Sequence, residues 1–487
     1  MKNMNKLLRV AGCLLLVFAM MLCMACKPVA PQNPTTAPTE PTTAPTEPAK
    51  PLTFDKPILR FAVTSDVHIR DASKNFESYA RLESFYKTVY AYSDAQKDYN
   101  KLDGIFFVGD ITNGGTKGQQ TYFFNYVKEH TRPETFARAV IGNHEFYATG
   151  NYSASSMVEA PKKFLEYSGY ETMDLHIVIG GYHFLFMAMD NYNKNANTYF
   201  GATTKLAWLQ KELQAAVADD PTKPIFLFQH EPPKSTVVGS STTNGDIALS
   251  YVLENYPQVI DFSGQSHRPI TDARSVWQGK YTAFGTGSLA YLSCTIPDHA
   301  SYKNGGVVAS DLEGGWTTTD TEEQTRNGFM YYIVEVDQYH HVRVLIYNML
   351  TESLWGEPIV INSLDPKDFL YTNARKDAAD KPVYAANAAP ALLSSTDTAA
   401  ELAIPQATSK DVVQSYRVEL YQGDTLVDTV YRLACTFLGD ATPATIKAPL
   451  RNLQPGTEYS VKVFAVNSWA LESNPLTLRF TTAAATE

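Results

Sequence analysis

The chain has 487 residues, 44% hydrophobic and 19% charged, which is too long for a single hydrophobic core and ordinary for a folded globular protein. A formal net charge of −10 argues against nucleic acid as the main partner, and five cysteines exclude a scaffold built from disulfides. We therefore expect roughly two to three domains and no nucleic-acid partner.

The N-terminus has the pattern of an export signal. Basic residues within 2–9 precede an uncharged apolar run, 10–25, that ends in a small residue directly before Cys26. Such a run is short for a membrane-spanning helix and typical of a secretory signal. The end of the run resembles the lipobox of bacterial lipoproteins, although Cys23 stands where that pattern usually has leucine. The resemblance implies a signal peptide over 1–25, a lipid anchor at Cys26 and an extracytoplasmic, membrane-anchored protein. A plain signal peptide or an uncleaved anchor helix are the alternatives.

Residues 26–51 are predicted to be the lipidated cysteine and a spacer. The stretch is rich in proline and threonine, and the block Thr-Thr-Ala-Pro-Thr-Glu-Pro occurs twice in it. This composition cannot bury a core and favours an extended polyproline II conformation. We expect it to hold a folded body away from the membrane.

Residues 52–365 alternate predicted strands and helices, which is typical of an α/β domain. Apolar runs predict strands, three- and four-residue hydrophobic steps predict helices, and Gly180-Gly181 predicts the turn of a hairpin. The predicted strands are 58–64, 105–108, 136–141, 225–228 and 259–262, the helices are 76–89 and 203–217, and the hairpin is 175–190.

Polar clusters follow the five predicted strands directly. They are Asp66 with His68, Gly109-Asp110, Gly142-Asn143-His144-Glu145, His230, and Gly264-Gln265-Ser266-His267. Ligand sites of open α/β sheets form at the carboxyl ends of strands, so we expect these side chains to converge. Carboxylate, imidazole and amide ligands together suit Mn, Fe or Zn better than a thiolate site would. The sequence contains neither a P-loop nor a Gly-x-Ser-x-Gly elbow that would compete for the role.

These five clusters, in this order, resemble the calcineurin-like metallophosphoesterase superfamily over about residues 55–350. The resemblance implies a four-layer α/β/β/α sandwich with two facing mixed sheets. It also implies hydrolysis of phosphomonoesters or phosphodiesters, small or polymeric, through two divalent metal ions (Mn, Fe or Zn) and a metal-bridging hydroxide.

The family pattern implies metal ligands at six matching positions. The first ion would be held by Asp66, His68 and His267, Asp110 would bridge both ions, and the second would be held by Asn143 and His230.

The same pattern implies a catalytic role for His144. This residue would lie beside the metals and stabilise or protonate the leaving oxygen, and Glu145 would orient it by hydrogen bonding.

Gln265 departs from the family pattern, which has histidine at that position as a ligand of the second metal. An amide oxygen is a weaker donor than imidazole for Zn or Fe. Three readings stay open: a working site with a loosely held second ion, a site tuned to Mn-like ions, and a degenerate, inactive site. Because a single expected ligand is lost, we favour activity. The alternative function is a phosphoesterase-like surface protein that binds a ligand or a cell-wall polymer without catalysis.

Two further features border the predicted site. Tyr147, Tyr152 and Tyr192 lie in loops after strand ends, where they would contact a substrate or pack as core and rim residues. The glycine-rich segment 284–288 is predicted to continue the second sheet and to line the cleft.

The C-terminal part of the chain changes character. Residues 366–389 read as a linker, and residues 390–483 show short alternating strands. Segment 453–467 resembles the fibronectin type III pattern, in which Tyr459 would be the tyrosine-corner residue, and Leu402 and Ile404 stand where that family usually has tryptophan. The resemblance implies an all-β sandwich that acts as a spacer or binds carbohydrate, cell wall or protein, without chemistry of its own.

Overall fold

The structure is a computed structural model that describes residues 53–70, 77–190, 198–240, 245–293 and 329–485. The predicted signal peptide, Cys26, the spacer and Tyr192 lie outside these ranges. No helix within the described ranges is long and apolar enough to cross a lipid bilayer.

The α/β region contains twelve strands and five helices among the described residues. In chain order they are β1 (Pro57–Thr64), α1 (Glu77–Ala95), β2 (Gly104–Val108), α2 (Lys117–His130), β3 (Phe136–Val140), α3 (Ser156–Ser168), β4 (Leu175–Ile179), β5 (Tyr182–Phe186), α4 (Lys205–Asp219), β6 (Ile225–Gln229), α5 (Ile247–Leu253), β7 (Val259–Ser263), β8 (Val276–Gln278), β9 (Thr282–Gly285), β10 (Met330–Asp337), β11 (Val342–Asn348) and β12 (Ser353–Ile361).

The strands form two six-stranded mixed sheets. The first has the order β12-β11-β10-β1-β2-β3, and the second has the order β4-β5-β6-β7-β9-β8. In the first sheet β1, β2 and β3 run parallel, and in the second β5, β6, β7 and β9 run parallel. The parallel strands form one side of the first sheet and the middle of the second, and the loops that carry the polar clusters follow their carboxyl ends.

A phenylalanine-rich core fills the space between the sheets. Phe61 and Phe106 of the first sheet meet Phe184 and Phe228 of the second, with ring centroids 4.7 to 6.1 Å apart. Because successive strand residues point to opposite faces, Ala62 beside Phe61 turns to the helices. The two facing sheets are thereby fixed by interdigitating rings.

The helices cover the outer faces of the two sheets. Leu82, Phe85 and Val89 of α1 are fully buried in the cluster that includes Phe107 of β2. The leucine stripe predicted for 203–217 is the buried face of α4, which packs outside the second sheet. This arrangement of helix, sheet, sheet and helix confirms the predicted four-layer fold.

The C-terminal region is a sandwich of seven strands. They are β13 (Ala391–Ser395), β14 (Ala400–Pro405), β15 (Val413–Gln422), β16 (Thr425–Leu433), β17 (Thr445–Leu450), β18 (Glu458–Asn467) and β19 (Leu476–Thr481). Strands β13-β14-β17 form one sheet and β16-β15-β18-β19 form the other. All pairs in both sheets are antiparallel, as expected for an all-β sandwich.

The core of the sandwich has the predicted tyrosine corner. The buried hydroxyl of Tyr459 accepts a hydrogen bond from the backbone N–H of Gln454 at 2.9 Å, five residues upstream. Leu402 and Ile404, which stand in place of the usual tryptophan, are both fully buried in the same cluster. These residues confirm the predicted C-terminal all-β fold.

Asp261, in the middle of β7, is a buried carboxyl group whose ionisation should weaken the fold. Burial raises its pKa to about 8, although Gln229 Nε2 donates to it at 3.0 Å. Between an unfolded pKa of about 3.9 and this folded value, the native state keeps a proton that the unfolded chain has released. The contribution of Asp261 to the free energy of unfolding therefore falls by about 1.4 kcal/mol for each unit of rising pH between these two values.

The change Asp261→Asn should remove this dependence on pH, because an amide does not ionise. The asparagine oxygen still accepts from Gln229, so the hydrogen bond is kept. The stability of the variant relative to wild type should rise by up to about 4 kcal/mol between pH 5 and pH 8, measured by thermal unfolding. The exposed Asp424→Asn serves as the control and should show no such trend. A stability difference that does not change with pH would contradict the prediction.

Candidate metal centre

The predicted site residues all lie at strand ends, where the two sheets bring them together. Asp66 and His68 follow β1, and Asp110 follows β2. The turn beginning at Asn143 follows β3, His230 follows β6, and His267 follows β7. The first three strands belong to one sheet and the last two to the other, so the cluster closes the gap between the sheets at one edge.

Four buried side chains form the first group. One ligand atom from each of Asp66, His68, Asp110 and His267 lies within 4.8 Å of the others. His267 Nε2 is 3.0 Å from Asp66 Oδ1 and 3.2 Å from His68 Nε2. His68 Nε2 is also 3.8 Å from one oxygen of each carboxylate.

Asp110 connects this group to a second one. The Oδ2 atom of Asp110, which faces His68, is also 3.4 Å from Nε2 of His230. That nitrogen in turn lies 3.1 Å from Oδ1 of Asn143. Asp110 therefore occupies the position between the two groups that a bridging ligand requires.

The orientation of the imidazoles fits metal ions. Nδ1 of His230 donates to the carbonyl oxygen of Val108 at 2.8 Å, and Nδ1 of His267 donates to that of Tyr291 at 3.0 Å. Because a carbonyl can only accept, each Nδ1 carries a proton, and Nε2 is the nitrogen that faces the ligand position. The Nε2 atoms of His68 and His267 face each other at 3.2 Å, a contact that needs a cation or a proton. The buried Asp/His cluster is thus suited to a dinuclear metal site.

The electrostatics of the cluster keep both carboxylates ionised. Burial opposes their charge, but His267 holds the pKa of Asp66 well below its usual range, and His230 lowers the pKa of Asp110. Burial also lowers the pKa of His68 to about 4, so this ring is neutral and offers a lone pair. These are the protonation states that metal ligation requires of the two carboxylates and His68. Burial opposes the charge of His230 and His267, but Asp110 and Asp66 raise their pKa values, so these two rings would release a proton when a metal ion binds.

Backbone strain is concentrated at the same residues. Asp66, His68, Asp110, Gln265 and His267 all have positive φ values between 48° and 64°. A non-glycine residue in such a conformation costs about 1–3 kcal/mol and persists where the surroundings impose it. The strained loops show that these side chains are held in place by the fold.

Two positions in the motifs require glycine, because neighbouring loops leave no room for a Cβ atom there. Gly109 has φ +85°, and a Cβ there would lie 2.2 Å from Nδ1 of His230. A Cβ on Gly142 would lie 2.2 Å from the backbone nitrogen of Asp110. The glycine before each ligand residue therefore lets neighbouring loops pack against each other.

His144 borders the cluster and is partly open to solvent. Its backbone N–H donates to Asp110 Oδ1 at 2.8 Å, and its Nδ1 donates to the carbonyl oxygen of Asn113 at 2.8 Å. Its Nε2 is 3.8 Å from Asp110 Oδ2, and its side chain is 20% exposed. The ring thus presents Nε2 at the border between the cluster and solvent.

Glu145 contacts the neighbouring loops. Its carboxylate accepts hydrogen bonds from the backbone and hydroxyl of Thr112 and from the backbone N–H of Gly142. The imidazole of His144 donates to the carbonyl oxygen of Asn113, the residue after Thr112. Glu145 therefore acts on His144 indirectly, by holding the loop that contains Thr112 and Asn113.

Gln265 lies in the strained loop between β7 and His267. Its Oε1 atom is buried and has no hydrogen-bond partner among the residues that the structure describes. A buried amide oxygen without a partner costs free energy unless a ligand satisfies it. The predicted weak metal ligand is therefore a free acceptor.

Tyrosines form the open rim of the cluster. The ring of Tyr147 lies 4.4 Å from that of His144, its hydroxyl accepts from Asn143 Nδ2 at 3.1 Å, and it stands 6.2 Å from Tyr152. Tyr291, which the sequence analysis missed, lies 4.4 Å from the ring of His267 and is 38% exposed. The glycine-rich segment 284–288 just before it was the available signal, since it leads from β9 into the site.

Glu231 is a second residue that the sequence analysis missed. It directly follows His230, is 1% exposed, and neither carboxylate oxygen has a hydrogen-bond partner among the described residues. Burial raises its pKa to about 7. The sequence signal was a glutamate placed beside a histidine at the end of an apolar strand.

Comparison with known proteins identifies the α/β region. A family model described as calcineurin-like phosphoesterase matches residues 59–269, which include all six predicted metal ligands. The match confirms the domain that the motifs predicted.

A probable glycerophosphodiester phosphodiesterase, GpdQ, of Arcobacter nitrofigilis is 28% identical over 177 residues, which are 35% of this chain and 59% of that protein. The chain therefore spans only 59% of the length of this curated relative.

Two solved structures are similar to separate parts of the chain. Purple acid phosphatase PPD1 from yellow lupin (Lupinus luteus) seeds is 15% identical with a TM-score of 0.43, covering 64% of this chain and 54% of that one. The fn3 domain of human contactin 1 is 19% identical with a TM-score of 0.18, covering 22% of this chain and 86% of that one. At these TM-scores the fold assignment rests on the sheets described above.

Proposed function

We propose that the chain, whose residues 59–269 form a calcineurin-like phosphoesterase domain, is a metal-dependent phosphoesterase acting on phosphomonoesters or phosphodiesters. One observation carries the proposal. Asp110 Oδ2 lies 3.4 to 3.8 Å from the Nε2 atoms of His230, His68 and His144, so a single carboxylate faces both ligand groups and the exposed imidazole.

The proposed ligands follow the two groups. Asp66, His68 and His267 would hold one ion and Asn143 and His230 the other, with Asp110 shared between them. When bound, two divalent ions supply Lewis-acid activation of water and charge compensation for the phosphoryl oxygens.

We propose that His144 handles the proton of the leaving group. Its Nδ1 is committed to the carbonyl of Asn113, so the exchangeable position is Nε2, which faces the open side of the cluster. A protonated Nε2 would donate to the oxygen that leaves phosphorus and so offset its developing charge.

The substrate proposal draws on the relative and on the rim. The name of the Arcobacter relative makes a glycerophosphodiester the first substrate to try. Tyr147 and Tyr291 flank the two sides of the cluster and would pack against the part of the ester beyond the phosphate.

The proposed location is the outer face of a bacterial membrane. Its support is the sequence pattern of residues 1–51, with the lipid on Cys26 and the proline-rich segment as the spacer. Incorporation of a labelled fatty acid tests this proposal, and loss of the label in Cys26→Ser is the expected result. Labelling that survives Cys26→Ser would contradict it.

The enzyme proposal is tested with the full chain expressed without the predicted export signal. Samples loaded with Mn, Zn or Fe are assayed on p-nitrophenyl phosphate, bis-p-nitrophenyl phosphate and a glycerophosphodiester. We expect turnover that a chelator abolishes and that added metal restores. Absence of turnover with every metal, together with less than one bound ion per chain, would favour the alternative of a non-catalytic surface protein.

Gln265 decides between these functions, because it stands where an imidazole ligand is expected. The change Gln265→His should tighten binding of the second ion by at least about tenfold. Loss of a residue that only hydrogen-bonds to a metal ligand already weakens metal affinity by that factor, and an added ligand should matter at least as much. Histidine also tolerates the positive φ at this position. A metal titration monitored by calorimetry measures the affinity for the second ion.

The matched control is Gln265→Leu, which keeps the bulk of the side chain without a donor atom. It should weaken the second ion or leave its affinity unchanged. Identical titrations of wild type and both variants would show that residue 265 is not a ligand.

A further inference from the structure

Segment 287–293, which leaves β9, is hydrogen-bonded to the metal centre along its length. The backbone N–H of Ala290 and the hydroxyl of Ser288 donate to the carbonyl oxygen of Asp66 at 3.1 and 3.0 Å. The carbonyl of Tyr291 accepts from Nδ1 of His267 at 3.0 Å. The segment therefore contacts two of the predicted ligands of the first ion.

The same segment is joined to the loop that carries His267. The backbone N–H of Ser293 donates to the carbonyl of His267 at 2.8 Å, and Nη1 of Arg268 donates to the carbonyl of Ser293 at 2.7 Å. We refer to residues 264–272 and 287–293 together as the site wall. These two loop segments are hydrogen-bonded to each other, so a displacement of either one would move His267.

The far side of the site wall packs against the C-terminal sandwich. Leu292 is 6% exposed and belongs to the hydrophobic cluster of the sandwich, far along the chain from its other members. Phe437, in the turn Thr436–Ala441 after β16, lines one crevice with Ile270 and Leu292. The adjoining crevice around Phe437 has a volume of about 20 Å³, room for no more than a single water. The contact is close-packed.

A polar contact fixes the same interface. The carboxylate of Asp272, 4% exposed at the end of the site wall, accepts from Nη2 of Arg274 at 2.9 Å and from Nε2 of Gln414 on β15. A buried charge-assisted hydrogen bond is costly to break, because the carboxylate loses one of its donors.

We propose that the C-terminal sandwich is a structural part of the metal centre, and that Phe437 and Gln414 are positioning residues for His267 and Tyr291. The proposal rests on the proposed metal-dependent function of the site. It adds a supporting role to the expected spacer or binding module, because a module that moved freely would leave Leu292 without Phe437 and Asp272 without Gln414. The sandwich contributes no reacting group and instead holds the site wall at its back.

The test uses the full chain and compares Phe437→Ala with Val461→Ala, a truncation of similar kind in the sandwich core that does not line the interface. In Phe437→Ala the amides of 287–293 should exchange with deuterium at least about tenfold faster. The first Mn or Zn ion should bind about 10–100-fold more weakly, the scale of losing a supporting partner. On a phosphodiester, kcat should fall more than KM rises, and Phe437→Leu should restore all three values. In Val461→Ala all three should stay at the wild-type level.

The polar contact gives a second comparison in case Phe437→Ala does not fold. Gln414→Ala should raise exchange in 287–293 and weaken the same ion, whereas Gln422→Ala, exposed at the other end of β15, should do neither. Equal exchange and equal metal affinity within both pairs would overturn the proposal. If wild type hydrolyses no ester, the proposed function fails separately, and exchange and metal affinity still decide the role of the sandwich.

Discussion

The change Asp110→Asn is expected to lower kcat by at least about 10³-fold, or about 4 kcal/mol of transition-state stabilisation. Asp110 is the shared carboxylate of the cluster, and its Oδ2 faces His68, His144 and His230 at 3.4 to 3.8 Å. An amide of the same shape removes the charge between the two ligand groups. Kinetics and the metal content of the same sample provide the measurement.

The fold should survive this change. Asparagine keeps an oxygen that accepts from the backbone N–H of His144, the contact at 2.8 Å in the wild type. Asp261→Asn is the matched control, because it makes the same chemical change at a buried position outside the cluster and should leave kcat unchanged. An Asp110→Asn protein with two bound ions and kcat within tenfold of wild type would refute the bridging role.

The second large effect is expected for His144→Ala. Loss of a proton donor to the leaving group should lower kcat by about 10²–10⁴-fold for an ester with an alkyl leaving group. For p-nitrophenyl esters the loss should be much smaller, since that leaving group needs little protonation. The number of bound ions should not change, because His144 borders the cluster without belonging to either ligand group.

The dependence on the leaving group separates this role from a structural one. His130→Ala is the control: this exposed imidazole stacks on Tyr126 of α2 and lies in no ligand group. It should leave both activities at the wild-type level. Equal losses on both classes of ester, or loss of a metal ion, in His144→Ala would contradict the proton-donor role.

The strands that carry the site, and the site itself, could be predicted because their signals are local. Strands β8, β10, β11 and β12 were not predicted. Apolar runs such as Gly104–Val108 are followed closely by polar residues, and the structure places these strand ends at one edge of the two sheets. The stripe of α4 and the tyrosine corner at Tyr459 are equally local patterns. No local pattern shows that the five polar clusters converge. Their order along the chain, through the resemblance to a known family, predicted that they form one site.

The rest depended on contacts between distant parts of the chain. Helix α2 was missed because its buried face mixes glutamine with aromatic residues, and α3 was missed because it contains Pro161. Nothing in the sequence around Leu292 indicates that it packs into the hydrophobic cluster of the sandwich. The contact of Asp272 with Gln414 spans 142 positions and leaves no pattern in either segment. The supporting role of the sandwich was therefore invisible in the sequence.

The most direct test of a dinuclear phosphoesterase centre is the number of ions bound by the full chain, measured by mass spectrometry after loading with Mn, Zn or Fe. The geometry around Asp110 predicts two ions per wild-type chain with at least one metal, with hydrolysis of a phosphate ester that rises as the second ion binds. Fewer than one ion per chain with every metal, and no hydrolysis in the same samples, would contradict the account.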